Sequence, residues 1–406
     1  MPSQGRSSRP ASRDGHPALA LFLVSLVLRP SIVAVGPLAS AIAADLRVPD
    51  AFLALLATVP VFCMGVFAWL GPLAARRLGP RAAMAVACGG IVVCAVLRAA
   101  APSALAIIAL TLGLGIAIGT AGALPSIVAK LHAGGTRAAE LSGAAAAGVV
   151  AGAMVAGATA VPLATVLGGW RLSLGALGVL GSVSVAGWLL LYRRDDTGVA
   201  LRARPSLPWR SRVGWLLALV FGLQAVVYWG ATAWLPATYA ARGWSASNAG
   251  DLVGLLNLIA LAGNVTVGVL SDRLAGRPIQ VVAAALGAFV SASGFVLAPD
   301  QALWWTSLLG LSLGAIFPLL LALTVDVAVD VATAGALGAF MLTVGYVIAA
   351  CGPLILGVAR DATGGFGDTF PLLSFTAVVL LAAAVALLLD RRVVRGVVVL
   401  PDQSFP

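Results

Sequence analysis

An arginine followed by a proline interrupts a long apolar run near the start of the chain. Residues 21–38 read LFLVSLVLRPSIVAVGPL, and Arg29 is the one charged residue among them. Arg29 lies about eleven residues into the run, or roughly 16 Å along a helix, near the centre of a hydrocarbon layer about 30 Å thick. An arginine at that depth costs roughly 2.5–3.5 kcal/mol to insert, so we expect its side chain to face a protein interior or a water-filled cavity.

The sequence offers Arg29 no acidic partner at a similar depth. The aspartates and glutamates lie near the ends of the apolar runs or in the polar segments between them. An interior guanidinium without a counter-ion is suited to an anionic or strongly polar small molecule, because it presents a planar fork of N–H donors. Pro30 removes one backbone N–H and loosens the helix at this point. The open alternative is an arginine satisfied by backbone carbonyls at the proline kink.

Further polar and aromatic side chains lie at mid-depth in other apolar runs. Gln224 and Tyr228 are four residues apart, so they share one helix face. Amide side chains are costly in lipid, so Asn257 and Gln224 are expected to face inward, either lining a cavity or tying helices together. The aromatic residues have the alternatives of facing lipid or packing between helices. The predicted ligand-binding residues are Arg29, Gln224, Tyr228, Tyr346, Asn257, Thr120, Phe317 and Thr343.

The composition is that of an integral membrane protein. Of the 406 residues, 61% are hydrophobic and only 10% are charged, and the mean hydropathy is +1.04. A soluble domain carries roughly 25% charged residues, so this chain has more apolar surface than an aqueous fold could bury. The sequence contains no ligand spacing for a metal and no motif for a cofactor or a membrane enzyme, so we expect neither metal nor cofactor.

Runs of about 20 apolar residues are long enough to cross a bilayer as helices. Twelve such runs predict an all-α protein with twelve transmembrane helices in two halves of six. A longer polar segment at 193–212 separates the halves. The expected organisation is a disordered cytoplasmic tail at 1–17, an N-terminal half at 18–192, a cytoplasmic linker at 193–212, a C-terminal half at 213–391, and a cytoplasmic tail at 392–406. The predicted spans are 18–44, 52–75, 82–99, 103–130, 139–163, 170–192, 213–240, 249–271, 279–298, 302–326, 335–359 and 369–390.

The basic residues are distributed unequally between the two sides of the predicted membrane. Most of the 25 lysines and arginines fall on the side of the termini, which the positive-inside rule assigns to the cytoplasm. The net charge of +10 therefore reflects topology and does not indicate a nucleic-acid partner. We expect a multi-pass protein of a bacterial cytoplasmic membrane, acting as a monomer. The arginines assigned to the opposite loops are Arg47, Arg98, Arg171, Arg242 and Arg360.

Two loops on the side of the termini share a pattern, about half the chain apart. One reads GPLAARRLGPR from Gly71, with Arg77 in its basic pair, and the other reads GVLSDRLAGRP from Gly268, with Asp272 and Arg273. The pattern resembles the loop motif of the major facilitator superfamily, in which a helix-ending glycine precedes Asp-Arg and a second glycine. The first copy lacks the acidic residue, which implies a weaker brace between the halves. The alternative is a pair of ordinary positive-inside loops.

Several stretches resemble the cyanate and 2-nitroimidazole transporter family within that superfamily. The stretch LRPSIVAVGPL is similar to the first-helix signature of the family. Further stretches, at 112–131, 233–245, 309–326 and 339–365, are similar to helices four, seven, ten and eleven. The resemblance implies the superfamily fold and transport by alternating access. This sequence departs from the family pattern at Val27, where family members often have asparagine, and near Leu342, where they often have glutamine.

These observations predict a secondary active or facilitative transporter, not an enzyme. Its expected cargo is a small anion or a small polar organic molecule, cyanate-like or nitroimidazole-like. The alternative is an exporter of drugs or nitroaromatic compounds coupled to protons. That alternative requires a titratable group in the transport path, and the sequence places no Asp, Glu or His at mid-depth. The expected partners are the lipid bilayer and the small molecule, with protons as a further candidate.

Overall fold

The computed structural model describes residues 16–131, 135–193, 208–270, 276–328, 331–365, 367, 369–390 and 393, which form a bundle of α-helices. The first half supplies α1 (Pro17–Ser25), α2 (Pro30–Val33), α3 (Val35–Leu46), α4 (Asp50–Val66), α5 (Leu70–Leu78), α6 (Pro80–Ala99), α7 (Ala104–Gly122), α8 (Leu124–Leu131), α9 (Gly135–Leu167) and α10 (Trp170–Leu191). The second half supplies α11 (Arg212–Ala241), α12 (Ala246–Leu270), α13 (Arg277–Leu297), α14 (Ala302–Asp326), α15 (Val331–Ala349), α16 (Cys351–Thr363) and α17 (Thr369–Leu389).

Among the described residues, ten helical segments are each long and apolar enough to cross a membrane, and the count reaches twelve when each of two bent pairs is taken as one span. The bent pairs are Pro17–Val33 with Val35–Leu46, at 41°, and Asp50–Val66 with Leu70–Leu78, at 63°. The prediction of twelve spans is confirmed. The spans are numbered in chain order, with α1–α3 as the first, α4 and α5 as the second, α7 and α8 as the fourth, and α15 and α16 as the eleventh.

The first span is broken in the middle, where the sequence places its arginine and proline. A short 3₁₀ turn at Leu26–Leu28 follows α1, and Pro30 is the first residue of α2. Proline fits the first position of a helix because it has no N–H to donate to the preceding turn. Arg29 is therefore the residue between two short helical pieces.

Glycines allow close backbone contact between neighbouring spans. A side-chain carbon at Gly148 or Gly152 of α9 would overlap the carbonyl oxygens of Phe22 and Leu26 in the first span. A side-chain carbon at Gly119 would lie 2.5 Å from the carbonyl oxygen of Cys63. Small residues at such spacing let membrane helices approach closely.

The two halves contact each other at the end of the bundle opposite the chain termini, here called the far end. There α3 packs against α11, and α16 packs against α4. Arg360 Nη1 donates a hydrogen bond to Asp50 Oδ1 at 2.7 Å. The Asp361 carboxylate accepts hydrogen bonds from the backbone N–H groups of Asp50 and Ala51, both at 2.8 Å, and so caps the positive end of α4. These contacts, here called the far-end latch, join the second span to the eleventh.

The loop motif after the second span differs from its sequence interpretation. Gly71 does not end a helix; it is the second residue of α5, after a break at residues 67–69. The glycine is needed there because a side-chain carbon would meet the Thr120 carbonyl oxygen at 2.6 Å. Arg77 is exposed near the end of α5. In the second copy Gly268 lies within α12, whereas Asp272 and Arg273 lie outside the described residues.

Candidate functional site

Arg29 directs its side chain toward the seventh span. Its backbone carbonyl is satisfied, since it accepts hydrogen bonds from the N–H groups of Ile32 and Val33 at 3.0 and 3.1 Å. Its guanidinium carbon lies 4.6 Å from the centre of the Trp229 ring and 5.9 Å from that of Tyr228. Aromatic faces attract a cation without occupying its N–H donors.

The guanidinium of Arg29 retains hydrogen-bonding capacity. Its Nη1 atom is buried and has no hydrogen-bond partner in the described part of the chain, and no carboxylate there forms an ion pair with Arg29. The alternative of an arginine satisfied by carbonyls at the proline kink therefore does not account for Nη1. A buried cationic donor left unpaired is costly, so a ligand that pairs with it gains affinity.

Arg29 lines a cavity of about 120 Å³ between the two halves. The first and fifth spans form one side of this cavity, and spans seven, eight, ten and eleven form the other. The structure brings six of the eight predicted ligand-binding residues to its wall: Arg29, Gln224, Tyr228, Asn257, Phe317 and Tyr346. Trp229 and Asn264 also line it.

The amide and phenol groups of this wall both line the cavity and tie helices together. Tyr228 donates its hydroxyl proton to Asn257 Oδ1 at 2.7 Å, which joins α11 to α12. Asn257 Nδ2 donates to the Val253 carbonyl one turn earlier, at 2.8 Å. Gln224 Nε2 donates to the Leu313 carbonyl of α14 at 3.2 Å, whereas Gln224 Oε1 is buried without a partner among the described residues. Gln224 and Asn257 therefore do both things that the sequence left open, since they line the cavity and also take part in hydrogen bonds between helices.

Phe221 is a wall residue that the sequence analysis missed. Its ring contacts Tyr346 edge-on at 5.1 Å and lies 5.6 Å from Phe317. Its position was available from the sequence, because it precedes Gln224 by three residues and so shares the inward face of α11. The aromatic cluster adds apolar surface to the cavity wall beside its polar groups.

Thr120 and Thr343 are not brought to this cavity wall. Thr120 donates its hydroxyl proton to the Ile116 carbonyl of its own helix at 2.8 Å, and its own carbonyl faces Gly71. The Thr343 carbonyl lies where α15 meets Gly65 of the second span. Both threonines thus lie at contacts between helices.

Arg98 is a buried cation, and its assignment to a loop is wrong. It lies in the last turn of α6 with 1% of its surface exposed. Its Nη1 atom donates to the Ser31 carbonyl at 3.2 Å, whereas Nε and Nη2 have no partner among the described residues. The carbonyl lies beside the break in the first span, two residues after Arg29. Sequence gives no signal for this inward turn, because a basic residue at a span end normally extends to the interface.

The family is decided by a match along most of the chain. The model of the Major Facilitator Superfamily matches residues 21–353. The chain belongs to this superfamily. It is therefore a multi-pass membrane protein of a transporter family, and its two six-helix halves are those of the superfamily fold. The resemblance noted in the sequence is confirmed.

Relatives within the superfamily match almost the whole chain. The 2-nitroimidazole transporter of Escherichia coli (strain K12) is 30% identical over 380 residues, covering 91% of this chain and 94% of the relative. The cyanate transport protein CynX of the same organism is 29% identical over 353 residues, covering 86% and 91%.

Solved structures of other superfamily members show the same fold. The nucleoside transporter NupG aligns with a TM-score of 0.71 at 15% identity, over 92% of this chain and 100% of NupG. A D-xylose-proton symporter aligns with a TM-score of 0.69 at 15% identity, over 91% of this chain and 96% of the symporter. At these identities the likeness concerns the fold alone.

Proposed function

We propose that this superfamily member carries a small anion or a small polar organic molecule across the cytoplasmic membrane, with Arg29 as the main anchor of its cargo. Its transport is secondary active or facilitative. The relatives named for 2-nitroimidazole and cyanate support a cargo of this size and polarity. The distribution of basic residues supports cytoplasmic termini.

The observation that carries the proposal is the unpaired Nη1 atom of Arg29 beside a cavity between the halves. An arginine inside a membrane protein is retained at a cost, and a functional role is its first interpretation. Substrates of such two-half transporters bind near the midplane, at the interface of the repeats. Arg29 lies near the midplane of the first span and faces the second half of the chain.

Alternating access is supported by the position of the contacts between the halves. The far-end latch joins the second and eleventh spans beyond the cavity, on the side away from the termini. With cytoplasmic termini, the far-end latch is a contact between the halves on the outer side of the Arg29 cavity. Transport then requires the far-end latch to open while contacts form at the opposite end.

The test is flux of labelled cyanate or 2-nitroimidazole through proteoliposomes. Arg29→Ala should abolish flux. Arg29→Lys should retain only a small part of the wild-type flux, because an ammonium lacks the planar fork of donors. Arg210→Ala is the matched control, since it removes an exposed arginine outside the helices and the cavity. Normal flux through Arg29→Ala would contradict the proposal. Repeating the assay with a proton ionophore separates facilitated transport from the proton-coupled alternative.

A further inference from the structure

Two unpaired polar atoms of opposite kind border the Arg29 cavity. Arg29 Nη1 is a buried donor and Gln224 Oε1 is a buried acceptor, and neither has a partner among the described residues. Both residues line the same cavity, yet they form no hydrogen bond with each other. The cavity therefore has one unpaired hydrogen-bond donor and one unpaired hydrogen-bond acceptor among the residues that line it.

The chemistry of the neighbours fixes which amide atom of Gln224 is free. The Leu313 carbonyl, 3.2 Å from the amide nitrogen, can only accept a hydrogen bond, so the NH₂ group must face it. This orientation leaves Oε1 as the unpaired atom. Gln224 is only 6% exposed, so bulk water does not readily compensate the oxygen.

The nearest hydroxyl on the same helix face is already engaged. Tyr228, one turn after Gln224, has a single proton, and that proton goes to Asn257 Oδ1 at 2.7 Å. Asn257 in turn directs its NH₂ group to the Val253 carbonyl. This chain of hydrogen bonds is complete without Gln224, so Oε1 is left as an acceptor for a donor on a molecule bound in the cavity.

We infer that Gln224 is a specificity-determining residue that selects cargo carrying an N–H or O–H donor next to an acceptor group. The acceptor pairs with Arg29 and the donor pairs with Gln224 Oε1. The preferred class is a small planar molecule such as an N–H azole with a nitro or carbonyl substituent. Donor-free anions such as cyanate satisfy Arg29 alone and bind more weakly. The inference rests on the proposed role of Arg29 as an anchor.

The test compares 2-nitroimidazole with 1-methyl-2-nitroimidazole, which keeps the nitro group and lacks the ring N–H. Dissociation constants are measured on the purified full-length protein, at a mildly acidic pH that keeps the ring nitrogen protonated. Wild type should bind the N–H compound about tenfold or more tightly than the N-methyl compound, because the latter leaves a buried acceptor unpaired. Gln224→Met should bring this ratio close to one.

Methionine is used because it keeps the length and volume of glutamine without its acceptor. The N-methyl group of 1-methyl-2-nitroimidazole could weaken binding by a steric clash with the wall alone. In that case the ratio of the two dissociation constants would persist in Gln224→Met, and that result would overturn the inference. Equal binding of both compounds by wild type, or no binding of the N–H compound, would overturn it as well. Gln301→Met makes the same exchange at an exposed glutamine outside the cavity and should leave the ratio unchanged.

The same measurements separate this inference from the proposed function. If Arg29→Ala abolishes binding of both compounds while wild type does not discriminate between them, the anchor stands and the role of Gln224 is refuted. If Arg29→Ala binds both compounds as wild type does, the anchor itself is refuted. Gln224→Met should leave the affinity for cyanate within about threefold of wild type, since cyanate offers no donor to the lost acceptor.

Discussion

The guanidinium of Arg29 lies 4.6 Å from the centre of the Trp229 ring, so the break in the first span contacts the seventh span across the interface of the halves. This contact holds the cation in place while leaving its N–H edges available to a ligand. Trp229 is 1% exposed, which places the pair in a low-dielectric setting where a cation–π contact is strongest.

Removing the Trp229 ring should weaken cargo binding. Because a cation–π contact contributes about 0.5–2 kcal/mol, Trp229→Leu is expected to raise the dissociation constant roughly 2- to 30-fold. Trp229→Phe keeps an aromatic face and should lose less. Titration calorimetry with 2-nitroimidazole measures both values, and melting temperatures without ligand check folding. Equal affinity of Trp229→Leu and wild type would contradict the predicted role of the ring.

The hydrogen bond between Tyr228 and Asn257 should stabilise the C-terminal half. Side-chain hydrogen bonds between membrane helices contribute about 0.6 kcal/mol on average and up to about 1.7 kcal/mol. A double-mutant cycle of Tyr228→Phe and Asn257→Leu, followed by unfolding in detergent, should give a coupling energy in this range. Strict additivity of the two substitutions would show that the bond contributes nothing.

Weakening the far-end latch should open the far end. Arg360→Ala removes the partner of the Asp50 carboxylate, and Asp361→Ala removes the acceptors at the start of α4. Either change should shift the population toward a state open at that end, because the halves lose contacts that join them there.

The opening can be measured as a distance between spin labels at the far end. Pro102 and Gln301 are exposed there, one in each half, and can carry labels in a background without the four native cysteines. Arg360→Ala should add or enlarge a population at longer distance. Arg171→Ala is the control, because its pairing with Asp45, at 3.3 Å, lies within one half. A similar shift in both variants, or in neither, would refute the assignment.

Close packing of the fifth span against the first should be sensitive to one methyl group. Gly152→Ala would place a carbon against the Leu26 carbonyl, so it should lower the melting temperature. Gly143→Ala lies on the same helix with nothing within 4 Å, and should be neutral or stabilise by about 0.5–1 kcal/mol. Equal effects of the two substitutions would exclude close packing as the cause.

The long apolar runs and the free-energy cost of polar side chains in lipid are sufficient to predict the spans and much of the cavity wall. Hydropathy identified the twelve spans because lipid exposure demands long apolar runs. The free-energy cost of placing a charge or an amide in lipid predicts that Arg29, Gln224 and Asn257 face inward, and all three line the cavity. Tyr346 and Phe317 also reach the wall, as their depth suggested.

Local rules could not predict features that depend on tertiary contacts. Arg98 turns inward because a carbonyl at a break in another span is available to it, which no local pattern reveals. Thr120 satisfies its hydroxyl within its own helix, so its polarity was no guide to the cavity. The break before Gly71 likewise depends on how α5 packs against the fourth span.

Ligand-induced thermal stabilisation of wild type and Arg29→Ala tests directly whether Arg29 anchors the cargo. Without ligand, the variant should melt close to the temperature of wild type, because removing the unpaired Nη1 donor and losing the cation–π contact with Trp229 act in opposite directions. Cyanate and 2-nitroimidazole should raise the melting temperature of wild type and leave that of Arg29→Ala unchanged. If both proteins are stabilised equally by either compound, Arg29 is not the anchor of the cargo.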